Sequence, residues 1–212
     1  MLNIELALLF IPAFGLASIM PGMCMTLSLS LGMSIGVKRT LWMMLGELTG
    51  VATVAILSVA GAASLLLASP AAFNTLSLAG ACYLIYIGYG MMRSHATLHL
   101  AKQQSRWLSP SQLISQGFIT ATSNPKGWAF FVALMPPFID STLPLVPQMA
   151  GYLMIVVAIE FCSLLLYASG GQFLKNLFSD GRAMHRVMLF SGGCIALIGG
   201  LMAYKAVLEL IN

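Results

Sequence analysis

Charge is scarce in this chain. Only 8% of its 212 residues are Asp, Glu, Lys or Arg, and 59% are hydrophobic, whereas soluble domains carry about 25% charged residues. That deficit excludes a soluble globular domain and identifies an integral membrane protein. Paired cysteines are also missing. Cys24, Cys82, Cys162 and Cys194 all fall in apolar segments and none forms a C-x-x-C pair, so they read as small buried hydrophobes rather than a disulfide framework. No nucleophile–base pair, glycine-rich phosphate loop or carboxylate dyad is visible, which argues against an enzyme, and no cofactor is expected. The basic residues form no stripe and have no interleaved aromatics, so the net charge of +4 is no sign of nucleic-acid binding. His95 and His99 have i, i+4 spacing but no nearby Cys or acid, too little for a metal site. The N-terminus, Met1-Leu2-Asn3-Ile4-Glu5, has no basic n-region, so the first apolar segment is expected to be a retained span, not a signal peptide.

What the chain has instead is apolar length. It suits a single transmembrane domain over residues 1–212 with about six spans. Span 1 is expected over Leu6–Ile35, span 2 over Thr40–Ala68 and span 3 over Phe73–Met92. A polar loop, residues 93–110, follows and includes Arg93, His95, His99, Lys102 and Arg106; part of it can lie as an amphipathic helix on an anionic leaflet. Span 4 runs over Gln112–Met135, span 5 over Gln148–Ala168 and span 6 over Val187–Val207, with a loop at Gly170–Arg186. Gly192-Gly193 and Gly199-Gly200 in span 6 allow close helix approach.

Basic residues then orient the spans. Lys38, Arg39, Arg93, Lys102, Arg106, Lys175, Arg182 and Arg186 all fall in the connections after spans 1, 3 and 5. The positive-inside rule places these in the cytoplasm, loop 93–110 included. Both termini then face outward, away from the cytoplasm. The fold class is all-α, with repeat halves at about 1–92 and 111–212. An odd number of spans per half inverts the second against the first.

Spans 1 and 4 are broken at matching places. Span 1 is too long for one untilted crossing unless interrupted at Pro21-Gly22. Span 4 contains Asn124-Pro125-Lys126-Gly127. Pro125 removes an amide donor and pushes Asn124 away from helical angles. Lys126 lies about 20 Å along the span, well inside a hydrocarbon core of roughly 30 Å, where an ammonium costs about 2.5–3.5 kcal/mol on insertion scales. The second span of each half carries one acid, Glu47 and Glu160. Proline-interrupted spans at matching positions of two inverted halves point to a transporter's central site.

The chemistry follows from these groups. A break frees carbonyls before it and leaves unpaired amides after it. Pro21, Gly22, Met23, Cys24, Asn124, Pro125 and Lys126 are therefore the candidate substrate-binding residues. Together with the acids they can hold a zwitterion, its carboxylate toward Lys126 and its ammonium toward an acid or freed carbonyls. Glu47 and Glu160 can also take up a proton, because burial disfavours the carboxylate. Either acid can equally be a structural partner of Lys126. Tyr83 and Tyr86 are candidate lining residues, with packing or an interfacial position as the alternative.

At these residues the chain resembles the lysine exporter superfamily, in its threonine/homoserine-resistance and leucine-export branch. Pro21-Gly22 is similar to the family's Pro-Gly-Pro element, and Gly46-Glu47 resembles its Gly-acid step. Gly80-Ala81-Cys82-Tyr83-Leu84-Ile85-Tyr86-Ile87-Gly88 resembles its Gly-Ala-x-Tyr-Leu-x-Tyr-x-Gly pattern. Ser123-Asn124-Pro125-Lys126 matches its Asn-Pro-Lys motif, and Phe138-Ile139-Asp140 and Glu160 have counterparts. The resemblance implies a secondary transporter in the inner membrane that exports amino acids or related metabolites, coupled to the proton-motive force. Its expected partners are a small-molecule amino acid and the lipid bilayer, and a homo-oligomer is compatible with it. Met23-Cys24 stands where the family usually has Pro-Asn, which leaves the substrate open.

Three rivals are weighed against this. A thiol-reductant carrier of similar fold wants a cysteine at each break, and the second break has Lys126 instead. A divalent-metal exporter wants a loop rich in His or acid, and residues 93–110 are basic. A scaffold has no use for Lys126 and two acids inside the membrane.

Overall fold

Proline and asparagine set where the first helices start and stop. In the structure, a computed structural model, residues 2–93, 108–135, 138–140, 143–179 and 181–211 are described. Helix α1 spans Ile4–Ile19 and begins at Asn3, whose side chain accepts from the amides of Glu5 and Leu6. Met20-Pro21-Gly22 interrupts it, and α2 resumes over Met23–Ile35, bent by 58° from α1. Gly36, at φ +78°, then turns the chain directly into α3, Val37–Ala68. That backbone region favours glycine. The expected start at Thr40 is therefore corrected to Val37, with Lys38 and Arg39 in the first turn and the Thr40 hydroxyl donating 2.9 Å to the Gly36 carbonyl. Helix α4 covers Pro70–Arg93. The polar loop with His95, His99, Lys102 and Arg106 falls in 94–107, outside the described residues.

The fourth apolar stretch is likewise two helices, α5 over Pro110–Thr122 and α6 over Pro125–Leu134. A capping box opens α5: the Ser109 hydroxyl accepts from the Gln112 amide and the Gln112 side chain accepts from the Ser109 amide. Helix α7 spans Leu145–Ser179 and α8 spans Gly181–Ile211. The loop expected at Gly170–Arg186 is thus replaced by helix on both sides. The direction changes at Gly171, whose φ of +36° and ψ of −119° are non-helical.

Helix α3 lies along α5, α4 along α8, and α2 along α7. Close approach explains the first pairing: a Cβ on Gly46 would sit 1.8 Å from the Ile114 carbonyl oxygen, and one on Gly117 would sit 2.0 Å from that of Met43. Of the glycines expected to seat span 6, Gly199 does so against Ala81 and Ile85, and Gly192 presents its carbonyl to Gly88. Gly193 and Gly200 meet nothing within 4 Å, so they do not serve close packing. An aromatic cluster ties α1 to α6 and α7. The Phe10 ring lies 5.5 Å from Phe14 and 5.0 Å from Tyr152, and Phe14 lies 5.4 Å from Phe130.

Among the described residues, two helices are long and apolar enough to cross a membrane, Val37–Gly61 within α3 and Leu145–Gly171 within α7. Counted as one span, the bent pair α1–α2 makes a third. Large apolar side chains such as Leu8, Ile56, Met154 and Leu197 point outward, as lipid contact requires. The chain is an all-helical, multi-pass membrane protein. Lipid contact also corrects one expectation about cysteine. Only Cys24 is buried; Cys82 and Cys162 are exposed, because an apolar thiol on a bilayer-facing surface needs no protein cover.

Candidate functional site

Pro21 carries no amide hydrogen, so the carbonyl four residues before it, that of Ala17, has no helical donor. Lys126 supplies one: its Nζ donates to the Ala17 oxygen at 2.9 Å. The next free end of α1 is closed from α7, where the Tyr167 hydroxyl donates to the Ile19 carbonyl at 2.8 Å. Between them, the Ser18 hydroxyl donates to Glu160 Oε2 and lies 2.9 Å from the Ser163 hydroxyl. The last turn of α1 is thereby held by α6 and α7 together.

Lys126 is positioned by the second break. Pro125 occupies the first helical position of α6, where its missing donor is harmless. Asn124 is the cap, and its Oδ1 accepts from the Lys126 amide at 3.1 Å. The Asn124 Nδ2 faces the Cys24 Sγ at 3.8 Å, which joins the two breaks. Gly22 opens α2 without any side-chain cap, and a Cβ there would lie 3.8 Å from Lys126 Nζ.

These groups line a cavity of about 50 Å3, room for a few waters. Its polar lining is Ser18, Cys24, Glu47, Asn124, Lys126 and Glu160. Phe14, Met20, Val51, Val54, Phe130 and Phe131 form its apolar walls. Two carboxyl groups and one ammonium therefore border one cavity, and the two acids are placed unequally. Glu160 is the acid whose charge acts on Lys126. Glu47 is fully buried, with the Cys24 thiol and the Glu160 carboxyl as its electrostatic neighbours. Neither Glu47 oxygen has a hydrogen-bond partner among the described residues.

The cavity brings together Gly22, Cys24, Glu47, Asn124, Lys126 and Glu160 from the sequence reading. Pro21 and Pro125 shape the backbone around it without lining it, and Met23 points outward at 48% exposure. Tyr83 and Tyr86 are not brought to the cavity. Their three-residue spacing puts both on one face of α4, with rings 6.3 Å apart, while buried Leu84 faces inward. Sequence reasoning missed Ser18 and Tyr167. The signal for α1's end was nonetheless present, since a proline at 21 orphans the carbonyl at 17.

The sequence model for the LysE type translocator family matches residues 13–206. A membrane protein of Vibrio cholerae serotype O1, described as uncharacterized, is 34% identical over 62% of this chain and 63% of its own length. The homoserine/homoserine lactone efflux protein of Salmonella typhimurium is 27% identical over 89% of this chain and 91% of its own. The leucine efflux protein of Klebsiella pneumoniae is 26% identical over 74% of this chain and 75% of its own. No solved structure matches the chain significantly.

Proposed function

The chain belongs to the LysE type translocator family, and from that premise we propose that it is a secondary transporter exporting amino acids or related small metabolites from the cytoplasm. One observation carries the reading: both helix breaks and both membrane acids meet at a single cavity around Lys126. Relatives named for homoserine and leucine efflux support it.

The architecture in this reading is six spans in one domain, as inverted halves 1–92 and 111–212. The pairs α1–α2 and α5–α6 are the broken first spans of the halves. Two contacts support the alternation. Arg39 Nη2 donates to the Leu108 carbonyl at 2.8 Å, joining two positions assigned to the cytoplasm. Asn3 Nδ2 donates to Asp140 Oδ2 at 2.9 Å, joining two assigned to the outer side. Both termini then face outward in a bacterial inner membrane. The broken spans rock between inward- and outward-open states, and the cavity described above widens around a substrate. The proton-motive force drives export, with Glu47 or Glu160 carrying the proton. A thiol carrier is disfavoured by what stands opposite Cys24, the amide of Asn124 rather than a second thiol.

The test is efflux of preloaded, labelled amino acids from cells with and without the protein, with a protonophore in a parallel arm. Faster efflux of one or a few substrates, lost with the protonophore, is expected. Efflux unchanged across amino acids and related metabolites would overturn the exporter reading, and efflux indifferent to the protonophore would overturn the coupling.

A further inference from the structure

Resting on the exporter reading, we infer that the two membrane acids have separate tasks, and that Glu47 alone receives the substrate's ammonium group. Glu160 is engaged already. It accepts from Ser18, which also reaches Ser163, and its charge faces Lys126. It belongs to the assembly that holds the last turn of α1 against α6 and α7. Glu47 has no such engagement. It is fully buried and lines the cavity, its polar neighbour is the weakly donating Cys24 thiol, and no hydroxyl, amide or ammonium reaches either oxygen among the described residues. A buried carboxyl left this way forfeits about 1–3 kcal/mol relative to a satisfied one, which a cationic ligand group restores.

The surroundings of Glu47 say what is attached to that cation. Glu47 sits beside the first turn of α2, where Cys24 places its thiol against the carboxyl. That helix starts at Gly22 with no side-chain cap, so its leading amides can receive an anion. Gly22 in turn lies next to Lys126 Nζ. Anion donors and an unpartnered acid thus border one small cavity, with apolar walls from Phe14, Val51 and Phe130. A carboxylate placed between α2 and Lys126, with an ammonium on the neighbouring carbon directed at Glu47, satisfies all three. A carboxylate placed there while Lys126 still bonds Ala17 must share the ammonium, so substrate also competes for the contact that holds α1.

The inference is tested by discrimination between L-leucine and L-homoserine and the matching 2-hydroxy acids, which keep the carboxylate and side chain but lack the ammonium. Uptake into everted vesicles is measured for wild type, Glu47→Gln and Glu160→Gln. Wild type is expected to prefer the amino acids. Glu47→Gln should lower that preference by about thirtyfold or more, as for truncating one member of a buried charge pair. Glu160→Gln should slow both substrate types alike and leave the preference intact. A second measurement needs no variant. Purified wild-type protein is treated with an apolar carbodiimide, and modified carboxyls are located by mass spectrometry. Amino acids should protect Glu47, and 2-hydroxy acids should not. Loss of preference in Glu160→Gln instead of Glu47→Gln, or equal protection of Glu47 by both ligand types, would overturn this division of labour while leaving the exporter reading standing. Wild-type vesicles that move neither amino acids nor related small metabolites would overturn the exporter reading itself.

Discussion

The two helix breaks are built from similar residues and finished differently. At the second, Asn124 caps α6 with its own side chain and Pro125 begins the helix with φ already set. At the first, Gly22 opens α2 with no side chain to offer. The free end of α1 is closed only by groups from elsewhere, Lys126 and Tyr167. A self-capped break is an anchor, and here it fixes the backbone that carries Lys126. An uncapped break leaves donors and acceptors that a ligand can claim. In the exporter reading proposed above, this asymmetry gives presentation of charge to the second break, and substrate contact with α1 and α2 to the first.

The largest effect expected from disturbing this contrast is at the anchor's charge. Lys126→Ala should reduce efflux to the level of cells lacking the protein, while membrane-fraction immunoblots show normal insertion. Wild-type efflux from that variant would remove Lys126 from the site. Next comes an attempt to make the first break resemble the second. Gly22→Ser adds a capping hydroxyl where φ is −142°, a conformation any residue adopts, and where the nearest atom is 3.8 Å away. It should stabilise α2 by only about 0.3 kcal/mol yet slow efflux roughly tenfold, as loss of one hydrogen bond to a charged group does. A higher melting temperature with undiminished efflux would show that the α2 amides do not meet the substrate.

The converse change removes the native cap. Asn124→Ala should lower thermal stability by about 1 kcal/mol, measured in detergent, and slow efflux less than Gly22→Ser. A loss as complete as that of Lys126→Ala would mean that Asn124 itself binds substrate. The smallest effect is expected at Tyr167. Tyr167→Phe deletes the donor to the Ile19 carbonyl at the end of α1 and should destabilise by about 1 kcal/mol. Its efflux should rise or fall only slightly, since Lys126 still holds Ala17. An abolished efflux would make Tyr167 part of the substrate path.

Much of this was legible in the residues. The proline-interrupted spans were readable because proline's effect on a helix is local and covalent. Glu47, Lys126 and Glu160 stood out because an ionisable group in an apolar run has few structural uses. The connections were less legible. Gly36 compresses a turn into one residue, and Gly171 permits a kink where charged residues had suggested a long loop. Both depend on positive φ at a single glycine, which composition does not reveal. Tyr83 and Tyr86 fit a recognised pattern in the sequence, yet which face of α4 turns inward depends on its packing against α8.

The sequence by itself determined the membrane environment, the places where two helices must break, and the three charged groups available at depth. Each follows from transfer energetics or from backbone chemistry that acts within a few residues. Only the tertiary structure decided how those groups are shared. Lys126 reaches the Ala17 carbonyl and faces Glu160, Ser18 engages Glu160, and Glu47 is left, among the described residues, with only the Cys24 thiol beside it. Those relations join residues more than a hundred positions apart in the chain, or sit in helices whose facing surfaces arise from packing. No local rule specifies them.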